Sequence, residues 1–371
     1  MRTNTALAVL AAFLHATRAA PANEKPQGGS ELRLIKTSEQ DPGQWVTDEE
    51  KFERFTSKHI GFVDITDITD DAVLSALSTA DDETVVRRAV DYPAGAEHTD
   101  EANPLISKAN TSGPKSWLKT LSDFYTRHYQ SPTGTESATW LFEKVKSVAS
   151  ANSAITVQQF KHRFNQPSVI AKIPGQTSNL VIVGAHMDST SGNSRTRSPG
   201  ADDNGSGTVT HLEALRVLAE AGFKPKNTIE FHWYAGEEAG LLGSADIFSN
   251  YRSAGKTVLA MLNQDMTAYS PSGQLAVYTD YVDQALTTYI RALAREYTGA
   301  APLTSRCGYG CSDHASARSN GFPAAFVNED LFDRSNPDIH TPQDSYDKVQ
   351  WNSVLRHIKF SIGFLVEASY L

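Results

Sequence analysis

Five short stretches of the chain place imidazole and carboxylate groups where they could hold metal or move protons. His186 and Asp188 stand in Ala185-His-Met-Asp188, and Asp202 and Asp203 in the turn 199–207. Glu237 and Glu238 are adjacent, Asp265 follows Asn263-Gln264, and His340 lies within 338–344. Taken singly, each has an ordinary explanation. A histidine after a strand is usually structural, paired glutamates are usually solvated, and Asp-Asp-Asn-Gly makes a good turn and helix cap. Together they form a thiolate-free set, which suits catalytic zinc and argues against a structural zinc. His186, Asp203, Glu238, Asp265 and His340 supply three negative charges. Two Zn²⁺ ions carry four positive ones, and a bridging hydroxide would complete neutrality.

The surrounding elements give these residues a reason to meet. The apolar runs 180–184, 229–234 and 258–262 read as strands, and each leads into one of the candidate groups. Further strands are expected at 155–160, 168–173, 275–278 and 324–327. Helical spacing marks 117–125, 137–148, 207–221, 241–251, 284–297 and 351–370. Strands alternating with helices predict an α/β fold with a mixed, mostly parallel central sheet and helices on both faces. Ligands of such sheets gather outside the carboxyl ends of the strands. The candidate groups stand there.

The 371 residues are 40% hydrophobic and 21% charged, with a formal net charge of −9. That is enough to bury a sizeable core, and too apolar for a disordered chain. The acidic balance excludes nucleic acid or an anionic membrane as the main partner. Residues 1–19 combine a basic start, a nine-residue apolar run and a small-residue site, the pattern of a secretory signal peptide. Residues 20–88 carry a net charge of −7 and end in Arg87-Arg88, which reads as an acidic pro-segment closed by a dibasic processing site. Residues 89–371 then form the catalytic domain. A secreted, extracellular protein is the expectation, and Asn110-Thr-Ser112 is an acceptable glycosylation sequon in it.

The segments Gly184–Ser189, Pro199–Gly207, Tyr234–Gly243, Asn263–Thr267, Cys307–His314 and Ile339–Asp344 jointly resemble the secreted two-zinc aminopeptidases. The resemblance is closest to the fungal extracellular leucine aminopeptidases, and it extends from roughly residue 89 to the C-terminus. It implies a zinc-peptidase phosphorylase/hydrolase-like fold and two Zn²⁺ per chain. In that pattern Asp203 bridges both metals. Glu238 and His340 complete one position, and His186 and Asp265 the other. Glu237 is the general base, and Asp188 holds His186 from behind. The resemblance makes Tyr309 a hydrogen-bond donor to the oxyanion. In an oxidising compartment Cys307 and Cys311 are expected to pair, constraining Tyr309.

The expected reaction is removal of N-terminal residues, large apolar ones such as Leu, from peptides with a free N-terminus, by a monomer. Met266, Phe326 and Phe332 are candidates for the side-chain pocket, although ordinary core packing explains each nearly as well. Three other readings share this fold. A glutaminyl cyclase would work with one zinc, a binding ectodomain would be expected to have lost ligands, and a carboxypeptidase usually carries an inserted lid domain, for which residues 89–371 leave no room.

Overall fold

The computed structural model describes residues 32–58, 60–81, 85 and 90–371. The signal-peptide stretch and the Arg87-Arg88 pair lie outside the described residues. From residue 90 onward the elements are α3 (Thr99–Ile106), α4 (Ser112–Asp123), α5 (Pro132–Ala149), β4 (Thr156–Phe160), β5 (Ser168–Ile173), β6 (Thr177–His186) and α6 (Gly207–Glu220). They continue with β7 (Asn227–Tyr234), α7 (Leu242–Ser253), β8 (Val258–Gln264), β9 (Ala276–Tyr278), α8 (Gln284–Thr298), β10 (Leu303–Ser305), α9 (His314–Ser319), β11 (Ala324–Asn328) and α10 (Trp351–Ala368).

The eight strands run in the order β10-β9-β11-β8-β6-β7-β5-β4. Pairings at the centre, β11–β8–β6–β7, are parallel, and antiparallel pairs close the flanks at β9–β11, β7–β5 and β5–β4. The expected mixed, mostly parallel sheet is thus present.

Period-two alternation of apolar side chains explains both covered faces. On β6, Val181 and Val183 point to a core shared with α5, α6, α8 and α10, whereas Leu180 and Ile182 join Ile247, Phe248 and Tyr251 of α7. Local signals set the helix starts. The Ser131 side chain accepts from Gly134 N with Pro132 in the first turn of α5, and Asp283 caps α8 by accepting from Leu286 N. Such caps are each worth about 1 kcal/mol.

The acidic N-terminal segment is itself folded. It contains β1 (Arg33–Lys36), β2 (Gln44–Val46), α1 (Asp48–Arg54), β3 (Val63–Asp64) and α2 (Asp71–Ala76), with the strands in an antiparallel sheet ordered β2-β1-β3. This unit packs on the loops at the carboxyl end of the central strands. Leu34, Val63, Ile65, Val73 and Leu77 share a core with Leu241, Tyr281 and Ala315.

Polar anchors reinforce the contact. Lys51 Nζ binds Asp64 at 3.0 Å and the Ala239 carbonyl at 3.1 Å, Asp64 N donates to the Gly240 carbonyl, and Arg318 donates to the Ala76 carbonyl. Among the described residues no helix is long and apolar enough to cross a membrane.

Candidate active site

Parallel β6, β7 and β8 end together, and their exits carry the chemistry. β6 ends on His186 itself, β7 leads into Glu237 and Glu238, and β8 stops one residue before Asp265. The turn Ala201–Ser206, which opens α6, carries Asp203, and the loop before α10 carries His340.

The decisive geometry is at Asp203. Its Oδ1 lies 3.1 Å from His186 Nε2 and its Oδ2 lies 3.1 Å from His340 Nε2. One carboxylate therefore addresses two separate groups, one oxygen each. His186 Nε2 is also 3.1 Å from Asp265 Oδ1, and His340 Nε2 is 3.1 Å from Glu238 Oε2. Two sets of donors result, His186–Asp203–Asp265 and Asp203–Glu238–His340, each with its ligand atoms within 4.8 Å of one another. The donors are oxygen and imidazole nitrogen only, and three carboxylates crowd around two imidazoles. That composition fits a pair of divalent cations of the zinc type.

Glu237 belongs to neither set, and its Oε2 is 4.0 Å from His186 Nε2. Burial raises its pKa well above the ordinary carboxyl range; His186 opposes this, and Asp265, Asp313 and Glu238 add to it. Burial and the Asp203 charge likewise push Glu238 up to about 7.

Asp188 sits behind the site. Its Oδ1 is 3.6 Å from His186 Nδ1, an electrostatic contact longer than a hydrogen bond. The same carboxylate accepts the backbone N–H groups of both Glu237 and Glu238, at 3.1 and 3.2 Å. It thereby ties the β7 exit to the β6 exit, a role that spacing in sequence does not reveal. Asp202 is a buried brace: it accepts from Ala268 N, Ser206 Oγ and Asn336 Nδ2, and its charge adds to burial in raising the Glu329 carboxyl. Asp344 completes the support by accepting from the backbone N–H groups of Asp202 and Asp203.

A cavity of about 370 Å³ opens on these groups. Asp203, Glu237, Glu238, Asp265 and His340 line it together with Tyr309 and the three pocket candidates Met266, Phe326 and Phe332. Phe326 is held between Tyr278 and His314, with ring centroids 4.7 and 4.6 Å away, while Phe332 is largely exposed. Cys307 and Cys311 are joined by a disulfide. Asp280, which spacing did not mark, accepts from Cys307 N and Gly308 N and steadies the loop that carries Tyr309.

Thr56, Ile60, Gly61 and Phe62 of the N-terminal unit line the same cavity. Gly61 lies against Tyr309 so closely that a Cβ there would fall 1.7 Å from the phenol oxygen. Asn110 is exposed, whereas Asn204, which heads another sequon, Asn204-Gly-Ser206, is fully buried and bonded to Gln264, Gly207 and Met266.

The profile of peptidase family M28 matches residues 168–365. A probable leucine aminopeptidase of Arthroderma otae is 42% identical over 98% of this chain and 99% of its own length. The crystal structure of the Legionella pneumophila LapA aminopeptidase superposes with a TM-score of 0.79 at 26% identity, covering 91% of this chain and 98% of that one. That coverage exceeds what residues 90–371 alone could supply, so the superposition takes in the N-terminal unit. A glutaminyl cyclase of Porphyromonas gingivalis shares the fold at a TM-score of 0.60, with 17% identity over 69% of this chain and 98% of its own. On the family match and the near-full-length identity, the chain is a member of peptidase family M28.

Proposed function

We propose that this peptidase is a secreted, monomeric two-zinc aminopeptidase that removes N-terminal residues, preferably large apolar ones such as Leu, from peptides. The observation that carries the reading is the Asp203 carboxylate, whose two oxygens each face a different histidine. Zinc ions held by His186, Asp203, Asp265, Glu238 and His340 would supply an activated water and polarise the scissile carbonyl.

The chain's own groups do the rest. Glu237, beside both donor sets but in neither, takes the proton of the attacking water and passes it to the leaving nitrogen. Tyr309, on the cavity wall, donates to the oxyanion. The acidic end of the cavity receives the free α-amine, and Met266, Phe326 and Phe332 receive the side chain. An acetyl group on the amine would remove its charge and fill its space. Stepwise release of single residues from an unblocked peptide is therefore expected, and release of internal fragments from an N-blocked protein contradicts the reading.

Residues 1–19 serve as the signal peptide, 20–88 as a pro-segment and 89–371 as the catalytic domain, and Asn110 is the glycosylated site. Supporting the second assignment, Thr56, Ile60, Gly61 and Phe62 occupy the wall of the cavity that a substrate end must enter. A tethered segment blocks such a site even with weak contacts, because its effective concentration is high. With Arg87 and Arg88 replaced by Ala, activity should be low before controlled proteolysis and rise after it. Equal activity in both states, with the segment intact beforehand, excludes the inhibitory role.

A further inference from the structure

Arg127 lies just beyond α4 and is fully buried. Its guanidinium donates to four backbone carbonyls. Nε binds Met187 O at 2.8 Å, Nη2 binds Gly200 O at 2.8 Å, and Nη1 binds both Pro199 O and Leu121 O, the latter at 3.3 Å. These carbonyls come from three places: the residue after His186, the turn just before Asp203, and α4. The Arg127 backbone N–H adds a fourth tie, to Ser189 Oγ, which in turn donates to Ser198 O.

We propose that Arg127 is a positioning residue for the metal centre, fixing the carboxylate that the two metal positions share. The proposal rests on the two-metal reading above. The turn bearing Asp203 is gripped from two sides. Asp344 takes its amides, at Asp202 and Asp203, and Arg127 takes its carbonyls, at Pro199 and Gly200. Gly200 is shaped to this grip. Its φ is +49°, and a Cβ there would lie 2.8 Å from Arg127 Nη2 and 2.5 Å from the Asp203 carbonyl. The Met187 bond ties the same guanidinium to the strand exit that presents His186 and Asp188. Arg127 touches no metal donor, so its effect passes through the backbone.

The charge is kept at neutral pH. Burial lowers the guanidinium to about 10, against the opposing pull of Asp344, Asp188, Asp203 and Glu238. Geometry matters more than charge. A lysine ammonium is a point with three donors, and it cannot span four carbonyls from a helix, a strand exit and a turn as a planar fork does.

The test compares zinc-loaded wild-type protein with Arg127→Lys and Arg127→Met, following release of zinc into a chelator that reports it. Groups that orient metal ligands typically change metal affinity 10- to 100-fold. Arg127→Lys is expected to speed zinc loss from both positions by on the order of tenfold or more, while the metal-free variant still unfolds cooperatively, at a lowered melting temperature, from a state with the wild-type circular dichroism. Arg127→Met should lose zinc at least as fast. Wild-type zinc retention in Arg127→Lys would overturn the proposal, because charge alone would then suffice. Failure of Arg127→Lys to fold would also overturn it, making Arg127 a folding residue. Absence of zinc from the wild type would instead refute the two-metal reading itself.

Discussion

The two candidate metal positions share Asp203 and differ in almost everything else. The deep one is made where strands end: His186 closes β6 and Asp265 follows β8, and the His186 side chain is 1% exposed. Glu238 and His340, which complete the outer one, come from a turn and a loop. Both line the cavity, and His340 is 22% exposed. The difference lies in the histidines: Asp265 and Glu238 both line the cavity, but His186 is enclosed at a strand end, whereas His340 stands on a loop and faces the cavity. The deep position is therefore expected to retain its ion longer.

Glu237 tests the scheme from outside both positions, and the largest effect is expected there. Glu237→Gln removes a base and no metal donor, so kcat should fall by about 10²- to 10⁴-fold with zinc content unchanged. Near-wild-type kcat would remove the base assignment, and loss of zinc with activity would make Glu237 a ligand.

Substitutions at the shared and unshared donors divide the two positions. Asp203→Ala should lose both ions, whereas His340→Ala should weaken only the outer one, by more than the roughly 10- to 100-fold typical of groups that merely orient a ligand. In wild-type protein a chelator should extract zinc in two phases, the outer ion first. Equal single-ion losses in both variants would sink the bridging role of Asp203, and a single extraction phase would erase the distinction in depth.

The smallest of these effects is a pH dependence of metal-free stability. Burial raises Glu237, Glu329 and Asp344 well above the usual carboxyl range and brings Glu238 and Asp313 to about 7. Burial opposes charge on His186 and His340, but the adjoining carboxylates overcome it and raise both well above their ordinary value. All these groups bind protons more tightly in the folded state. Their contribution is fully present below the unfolded pKa values and is lost as pH climbs through the folded ones. Asp203, held low by His186 and His340 despite its burial, gives an opposing term that is lost only in strong acid. Buried His128, His211, His314 and His357 are held low by desolvation and favour the folded state as pH rises through the ordinary histidine range. The decline is therefore read above that range: chelated protein should melt lower at pH 9 than at pH 7.5. Zinc-loaded protein should lack this decline, because zinc competes for the same lone pairs. A flat or rising curve for the chelated protein would contradict the electrostatic picture.

The donor groups were legible because strand exits are local features. An apolar run followed by Ala-His-Met-Asp or Ala-Gly-Glu-Glu states its own position in the sheet. Strand and helix limits shifted by only a few residues at most elements, the largest extension being at α5. That helix begins at Pro132 rather than 137, under a Ser131-Pro132 cap that the sequence displays.

Short elements escaped. α9 is six residues of polar composition without apolar spacing, and its burial comes from α7, β11 and the N-terminal unit packed around it. β10 is a three-residue edge strand, and α3 contains Pro104, which argues locally against a helix. The fold of the N-terminal unit was also missed, because strands of two to four residues carry no readable period. One signal was available there: Thr47 and Glu50 form a capping box at α1.

The braces are the larger gap. Asp188 was expected behind His186, but its grip on the Glu237 and Glu238 amides was not, and Arg127, Asp280 and Asp344 likewise act on backbone groups far away in sequence that only the tertiary structure brings together. Nor does any local pattern announce left-handed backbone at Met266 (φ 63°) and His340 (φ 57°), conformations that cost on the order of 1–3 kcal/mol and collect at functional sites.

The central claim is a two-zinc site acting on a free N-terminus, and one paired measurement addresses it most directly. Metal analysis of the mature protein is set beside hydrolysis of leucyl amide and N-acetylleucyl amide by the same sample. The expected result is two zinc equivalents per chain, turnover of the leucyl amide and none of its acetylated counterpart. One equivalent, or comparable hydrolysis of both amides, would contradict the account.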